Sequence, residues 1–187
     1  MLLDALKDFE WYNEPENVRF NDLGMVVNTK PKTDFWQSTH HNFKKDNGHF
    51  FFTRINGDFS LVVKWHFDKA YAFDQCGIMM RIDERNWFKA SLMSETADKP
   101  KLGSSLTNFG YSDWAVLDLA EPITEIWYKL VCRQSDCAAY YSLDGKNYNQ
   151  LRLFHLVNDS GEAKVGAYAA SPQRSDFECV LEILDLK

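Results

Sequence analysis

The chain has 187 residues, of which 45% are hydrophobic and 26% charged, a composition typical of a globular domain and not of a long disordered segment. A chain of this length buries roughly 70% of the surface that its unfolded form exposes, so its cysteines need not form bridges to stabilise a core. The 27 acidic and 21 basic residues leave a formal net charge of −6, which argues against a dedicated nucleic-acid binder. We expect a single domain over residues 1–187 and no nucleic-acid partner.

The first residues do not have the pattern of an export signal. Asp4, Lys7 and Asp8 interrupt the apolar residues there, so the apolar centre of a signal peptide is missing. No stretch of the sequence approaches the ~20 apolar residues of a membrane span. We therefore expect a cytoplasmic protein with no membrane partner, although an export route that needs no signal peptide would leave the same sequence.

The predicted elements are β-strands throughout. Aromatic residues make up 15% of the chain, and aromatic side chains pack well on pleated sheets. The clearest strand, 59–67, alternates strictly, so Phe59, Leu61 and Trp65 share one face while Lys64 and His66 share the other. The first face is predicted to lie in the core.

In chain order, strands are predicted at 25–29, 50–54, 59–67, 77–82, 87–93, 126–133, 138–142, 150–156, 164–169 and 177–184. Short strands separated by turns are typical of two packed antiparallel sheets, and we expect an all-β sandwich. The dipeptide Asp144-Gly145 favours a tight hairpin between the strand 138–142 and the strand that follows it. Residues 95–122 show no strand pattern and are expected to form a long irregular loop, of a kind that is often functional.

Eight short motifs follow one another over nearly the whole chain: Thr33-Asp34-Phe35-Trp36, Asp46-Asn47-Gly48-His49, Gly57-Asp58-Phe59, Phe73-Asp74-Gln75-Cys76-Gly77, Asn86-Trp87-Phe88-Lys89-Ala90, Ser112-Asp113-Trp114, Ser142-Leu143-Asp144-Gly145 and Val165-Gly166-Ala167-Tyr168. In this order they resemble the regulation-of-enolase-like family of unknown function. The resemblance implies a concanavalin A-like jelly-roll β-sandwich of two antiparallel sheets, in which the concave sheet often carries the ligand site. It implies no established activity.

The chain departs from the family pattern after Lys89. The family's Lys-Ala-Gly followed shortly by Glu is here Lys89-Ala90-Ser91-Leu92-Met93, and the nearest carboxylate is Glu95. This departure weakens an enzymatic interpretation based on a carboxylate at that place.

Strand alternation suggests a sugar-binding face. It places Lys64 and His66 opposite the core in one strand, Arg81 in the next, and Trp87 and Lys89 in the one after. Flat rings stack on the C–H faces of sugars, while Arg and Lys donate hydrogen bonds to hydroxyls and pair with carboxylates. The alternative is a solvated convex sheet whose cations only keep the protein soluble.

Other candidates lie in loops or at strand ends, where functional residues are over-represented. Trp36 and Trp114 could form the walls of a ligand site, or they could plug the open ends of the sandwich. Gln75, after Asp74, could hold a ligand hydroxyl, or the pair could belong to a turn before the strand. The further candidates of this kind are His40, His41, His49, Tyr111 and Asp113, with turn capping as the alternative for Asp34 and Asp113.

Two enzymatic functions are alternatives to binding. A glycosidase usually needs two carboxyl groups roughly 5–10 Å apart, and the closest approach to a suitable strand, Glu178 with Glu182 and Asp185, has the wrong spacing. A uronate lyase needs cations or an amide beside the sugar carboxylate and a group that moves a proton. The side chains of suitable type for the lyase are Lys64, His66, Gln75, Arg81 and Lys89.

No cofactor and no metal are expected. Cys132 and Cys137 are five residues apart without a second pair, and the adjacent His40 and His41 diverge in an extended segment. No dense acidic loop indicates Ca²⁺. Cys132 is predicted to be a small core residue, and the other cysteines, Cys76, Cys137 and Cys179, are predicted to stay thiols in a reducing compartment.

The sequence therefore predicts non-catalytic binding of a sugar or oligosaccharide, acidic sugars included, on the concave sheet. The predicted contact residues are Trp36, Lys64, His66, Gln75, Arg81, Trp87, Lys89 and Trp114. The alternatives are a module that binds a protein partner and regulates sugar metabolism, and a uronate-acting lyase or a glycosidase.

Overall fold

A computed structural model describes residues 6–40, 42–68, 70, 73–96, 99–157, 161–173 and 177–187. These residues form β-strands and connecting turns, with no helix among them. The strands are β1 (Glu10–Tyr12), β2 (Asn17–Phe20), β3 (Met25–Asn28), β4 (Phe35–Gln37), β5 (Lys44–Asp46), β6 (His49–Asn56), β7 (Phe59–His66), β8 (Gln75–Asp83), β9 (Asn86–Leu92), β10 (Lys101–Asn108), β11 (Tyr111–Ser112), β12 (Ala115–Asp118), β13 (Glu125–Arg133), β14 (Asp136–Ser142), β15 (Asn149–His155), β16 (Glu162–Ala170) and β17 (Glu178–Leu186).

The strands form two large antiparallel sheets and one small one. The eight-stranded sheet has the order β1-β6-β16-β8-β9-β10-β11, and β12 also pairs with β10. The seven-stranded sheet has the order β15-β14-β13-β7-β17-β3-β2, while β4 and β5 form a separate two-stranded hairpin. The predicted all-β sandwich of two antiparallel sheets is confirmed, and all ten predicted strands are present with small shifts at their ends.

The main core lies between the two large sheets. In β7 the side chains of Phe59, Leu61, Val63 and Trp65 are buried and alternate with half-buried ones, as the sequence predicts. Buried residues of β8, such as Ile78, face them from the eight-stranded sheet. The indole N–H of Trp65 donates to the carbonyl of Gly77 at 2.8 Å, which satisfies the polar end of a buried ring.

The expectation of an irregular loop over residues 95–122 is wrong. This segment contains β10, which pairs with β9 over Leu102–Thr107, and the short strands β11 and β12, which cover its other side. In β10 the alternating residues are leucines and small hydroxyl residues, Ser105 and Thr107 among them. Apolar–polar contrast in such a strand is weak, and the pattern therefore does not stand out in the sequence.

The prediction that Cys137 stays a thiol is also wrong, whereas Cys132 lies in the core as predicted. Cys132 of β13 and Cys137 of β14 lie directly opposite each other in the hairpin, with a Cα–Cα distance of 4.2 Å, and form a disulfide. The spacing of five residues, unsuitable for a metal site, is the spacing that a tight hairpin brings into register. Cys76 and Cys179 are buried free thiols, as expected.

The disulfide predicts the thiol count of the purified protein. Unfolded without reductant and treated with iodoacetamide, the chain is expected to alkylate at two cysteines, and at all four after reduction. Reduction should also lower the free energy of unfolding by up to about 2 kcal/mol, because the bond closes only a short loop. Mass spectrometry of the alkylated chain checks the count, and four modified cysteines without reductant would contradict the bond.

Candidate functional site

The β4–β5 hairpin covers the outer face of the eight-stranded sheet, the face turned away from the main core. Phe35 of β4 packs edge-on against Trp87 of β9 and Tyr168 of β16, with ring centroids 6.3 Å apart in both pairs. These rings belong to a second buried cluster, which also contains Phe50, Phe52 and Met79. The outward-facing residues of the central strands are therefore buried, and the hairpin forms a third layer over them.

A first ion pair ties the end of β5 to the sheet. The guanidinium of Arg81 donates to both carboxylate oxygens of Asp46, at 2.5 and 2.9 Å, and lies 4.7 Å from the ring centroid of Tyr12. The Tyr12 hydroxyl donates to the same carboxylate at 2.6 Å. Burial, together with the hydrogen bond and charge of Asp46, raises the pKa of Tyr12 to about 12. Arg81 is only 4% exposed, so its donors are used within the protein.

A second ion pair ties the start of β4 to the sheet. The ammonium of Lys89 donates to Asp34 Oδ1 at 2.7 Å and to Gln75 Oε1 at 3.0 Å. The same Gln75 oxygen accepts a hydrogen bond from Tyr168 at 3.2 Å. Asp34 Oδ1 also accepts from the backbone N–H of Phe35 at 2.8 Å. A buried lysine is stable in this place because its charge is paired and two of its three donors have acceptors.

A pocket of about 310 Å³ opens next to this second ion pair. That volume lies at the lower end of the ~300–1,000 Å³ range of small-molecule sites. Aromatic and other apolar side chains form most of its lining, and a few polar groups lie among them. The lining residues are Asp34, Trp36, Phe43, Phe73, Gln75, Lys89, Met93, Ser105, Trp114, Pro172 and Gln173.

The aromatic walls of the pocket come from three separate segments. Trp36 is 8% exposed, and its indole N–H donates to the carbonyl of Thr39 at 2.9 Å, which orients the ring. Trp114 and Phe73 meet edge to face with ring centroids 6.3 Å apart. Trp114 is 41% exposed and Phe43 is 42% exposed, so both offer ring surface to a ligand.

Four of the eight predicted contact residues, Trp36, Gln75, Lys89 and Trp114, line this pocket. Trp87 is fully buried beneath the hairpin, and its indole N–H donates to the carbonyl of Glu84 at 3.2 Å. Arg81 lies in the Asp46 pair described above. The lining residues Phe43, Ser105, Pro172 and Gln173 had no signal in the sequence, because segments far apart in the chain meet there. Met93 was noted only as part of the departure from the family pattern.

Lys64 and His66 lie on the other sheet, which corrects the expectation that three successive strands share one face. β7 pairs with β13 and β17 in the seven-stranded sheet, whereas β8 and β9 belong to the eight-stranded one. The chain crosses between the sheets after β7. Alternation within a strand shows which residues share a side, but it does not show which sheet the strand joins.

On the outer face of the seven-stranded sheet, Lys64 lies between two carboxylates. Its ammonium is 2.6 Å from Glu182 and 2.9 Å from Glu125, and it lies 4.6 Å from the Trp127 ring. Burial alone would lower the pKa of Lys64, but the hydrogen bonds and charges of these two glutamates outweigh it and raise the pKa. His66, Glu125 and Glu182 bring potential metal-ligating atoms within 4.8 Å of one another, and the Lys64 cation is paired with both of these glutamates.

The remaining loop candidates lie outside the pocket lining. Asp113 accepts from the backbone N–H of Leu106 at 2.7 Å and pairs with Arg152, in line with the capping alternative. His40 and Tyr111 are exposed, and His41 lies outside the described residues.

His49 is a structural histidine of the β6 start and is 1% exposed. Its Nε2 accepts from the backbone N–H of Lys30 at 3.0 Å, so Nδ1 carries the proton and donates to the carbonyl of Asn13 at 2.5 Å. This arrangement requires a neutral ring. Burial lowers the pKa of His49 below 6.5.

The described part of the chain contains no helix with the length and hydropathy of a membrane span.

A family model described as "Protein of unknown function (DUF1349)" matches residues 11–187. "Regulation of enolase protein 1" of Saccharomyces cerevisiae is 32% identical over 169 residues, which cover 90% of this chain and 83% of that protein. The resemblance noted from the sequence motifs is thereby confirmed.

Two solved structures show the same fold. A functionally unknown protein from Saccharomyces cerevisiae superposes with a TM-score of 0.90 at 28% identity, covering 97% of both chains. The carbohydrate-binding module CBM66 from Bacillus subtilis superposes with a TM-score of 0.56 at 12% identity, covering 97% of this chain and 96% of that one. At the latter identity the likeness shows the jelly-roll-like β-sandwich fold alone.

Arg81→Met tests how strongly the hairpin depends on its ion pair. We expect a loss of about 3–5 kcal/mol in the free energy of unfolding, because Asp46 is left as an unpaired, largely buried charge. Arg54→Met is the matched control: its arginine contacts Glu10 with both side chains about half exposed, at 51% and 53%, and should cost roughly 0–1 kcal/mol. Urea unfolding of both variants measures the difference, and equal losses would contradict the assignment.

His49→Gln tests the neutral histidine. Because the folded pKa lies below the unfolded value of 6.5, the His49 contribution to stability is present above pH 6.5 and is lost as the pH falls towards the folded pKa. The wild type should therefore lose more stability than His49→Gln between about pH 7 and pH 5. Urea unfolding at three pH values measures this. His155→Gln, at a histidine whose side chain is 62% exposed, is the control, and parallel curves for wild type and His49→Gln would refute the effect.

Proposed function

Since the chain belongs to the family described as protein of unknown function (DUF1349), we propose a function from its own geometry: non-catalytic binding of a carbohydrate in the pocket beside the β4–β5 hairpin. The observation that carries the proposal is the placement of Trp36 and Trp114 around the polar groups of Gln75, Lys89 and Asp34. Aromatic surface with a few fixed polar groups is the usual composition of a small-molecule site.

The chemistry of the lining suits a sugar. Pyranose rings present C–H faces that pack against indole rings, and their hydroxyls need both donors and acceptors. Trp114 and Phe43 supply exposed ring surface, while Gln75 and Lys89 are held in place by their hydrogen bond to each other. Such preorganisation lowers the entropic cost of ordering these side chains on binding.

The structural neighbours support this choice of ligand class. The Bacillus subtilis neighbour is a carbohydrate-binding module by name, and it shares the sandwich over almost its full length. Its low identity transfers no residue roles to this chain. It makes carbohydrates the first ligands to test.

Binding without hydrolysis is favoured over a glycosidase. Hydrolysis usually requires two carboxyl groups flanking the sugar, and Asp34 is the one carboxylate among the described lining residues. That carboxylate is paired with Lys89. The departure from the family pattern near Lys89 leaves Met93, an apolar residue, in the lining.

We propose a cytoplasmic location, as expected from the sequence. Free buried thiols at Cys76 and Cys179 are compatible with a reducing compartment. The Cys132–Cys137 disulfide is of a kind that persists in oxidising compartments. Fractionation of cells that express the full chain decides between them.

A second candidate is a protein-binding module, and the outer edge of the eight-stranded sheet favours it. There the side chains of Tyr111, Val116 and Leu117 are exposed, Tyr111 at 69%, and β11 and β12 form the last strand positions. Exposed apolar edge strands are templates for pairing with another chain. The yeast relative carries a regulatory name. A partner that is retained in excess sugar and lost in Val116→Lys would favour this function.

Trp114→Ala tests the carbohydrate site. Removing this half-exposed wall should weaken binding at least about tenfold, because large aromatic contacts dominate binding energy. Titration calorimetry against a panel of neutral and uronic-acid oligosaccharides measures the change. Trp127→Ala is the matched control, since Trp127 lies under Lys64 on the other sheet and its loss should leave affinity unchanged. Absence of binding across the panel, or equal affinity of wild type and Trp114→Ala, overturns the proposal.

A further inference from the structure

We infer that the pocket selects uncharged sugars over sugars that carry a carboxylate, and this inference rests on the carbohydrate-binding function proposed above. It narrows the ligand class that the sequence leaves open. Three features of the pocket lead to it: the charge balance of the polar groups, the hydrogen-bonding groups that they leave for a ligand, and the apolar walls.

The charged groups in the described lining of the pocket are Lys89 and Asp34, and they neutralise each other. The ammonium of Lys89 is 2.7 Å from Asp34 Oδ1 and its side chain is 2% exposed, whereas the Asp34 side chain is 16% exposed. The carboxylate is therefore the more accessible of the two charges. A ligand carboxylate would meet this like charge in a site partly shielded from water, where repulsion is stronger than in solution.

The hydrogen-bonding groups that remain available to a ligand also favour an uncharged sugar. Gln75 Oε1 accepts from Lys89 and Tyr168, so the Gln75 amide offers a ligand its Nε2 donor. Asp34 Oδ1 accepts from Lys89 and from the backbone of Phe35, which leaves Oδ2 as an acceptor. The described residues provide no partner for either remaining group.

A donor beside an acceptor, Gln75 Nε2 beside Asp34 Oδ2, matches the hydroxyls of a sugar, because each hydroxyl both donates and accepts. A ligand carboxylate at neutral pH only accepts. In this place it would leave Asp34 Oδ2 without a donor, which is costly for a group removed from water.

The aromatic walls of the pocket also disfavour a sugar that carries a carboxylate. Trp36, Phe43, Phe73 and Trp114 surround the polar groups, and moving a carboxylate from water into such surroundings is unfavourable without a dedicated cation. Two of the three cations predicted to contact the ligand lie elsewhere: Arg81 is paired with Asp46, and Lys64 lies on the other sheet. The third, Lys89, is paired with Asp34.

The test compares sugars that differ only in the acid group. Glucose with glucuronic acid and galactose with galacturonic acid, as methyl glycosides, are titrated at neutral pH with ligand-observed NMR. We expect the neutral member of the preferred pair to bind at least tenfold more tightly. This comparison uses the wild-type protein, so it does not depend on the folding of any variant.

Asp34→Asn is the variant that isolates the cause. The asparagine keeps the Oδ1 acceptor for Lys89 and Phe35 but removes the negative charge, so the ratio of neutral to acidic affinity should fall at least tenfold. Asp118→Asn, at a carboxylate of β12 whose side chain is 85% exposed and which lies outside the lining, should leave the ratio unchanged.

The possible results distinguish the selectivity for uncharged sugars from the proposed carbohydrate binding itself. Equal or tighter binding of the uronic acid, lost in Trp114→Ala, overturns the selectivity and leaves the carbohydrate site standing. An unchanged affinity ratio in folded Asp34→Asn overturns the role of Asp34. Absence of binding by every sugar overturns the proposed function itself.

Discussion

Two buried ion pairs hold the β4–β5 hairpin on the outer face of the eight-stranded sheet. Asp46, at the end of β5, pairs with Arg81 of β8, and Asp34, just before β4, pairs with Lys89 of β9. A buried charge that loses its partner is strongly destabilising. Each cation therefore requires the hairpin to be in place, and the hairpin in turn buries the Phe35 cluster.

The pocket is a consequence of this third layer. Between the hairpin and the sheet, the ring of Trp36 faces elements that lie far along the chain, such as Phe73 and Trp114. The Lys89–Asp34 pair thus has two effects: it fastens β4, and it supplies a polar but electrically balanced surface to the pocket. The Lys64 cluster on the opposite outer face is separate from it, because the two sheets and the main core lie between them.

Most of the strands could be predicted from the sequence because of their residue patterns. Strands such as β7 have one fully buried face, and their strict alternation of apolar and polar residues is readable directly. β10 was missed because its polar residues Ser105 and Thr107 are buried like its leucine Leu102, so polarity does not mark an exposed face of this strand. The Cys132–Cys137 disulfide was not predicted for a different reason: its geometry depends on the pairing register of β13 and β14.

By itself, then, the sequence determined the all-β class and the positions of the ten main strands. It also determined which residues share one face of a strand. These features follow from local periodicity and turn chemistry. The sequence also proposed Trp36, Gln75, Lys89 and Trp114 as ligand contacts, and these four residues line one pocket. Only the tertiary structure decided that Lys64 and His66 join the other sheet and that Arg81 and Trp87 are buried under the hairpin. Sheet membership and coverage depend on contacts between residues far apart in the chain, and local periodicity carries no information about such contacts.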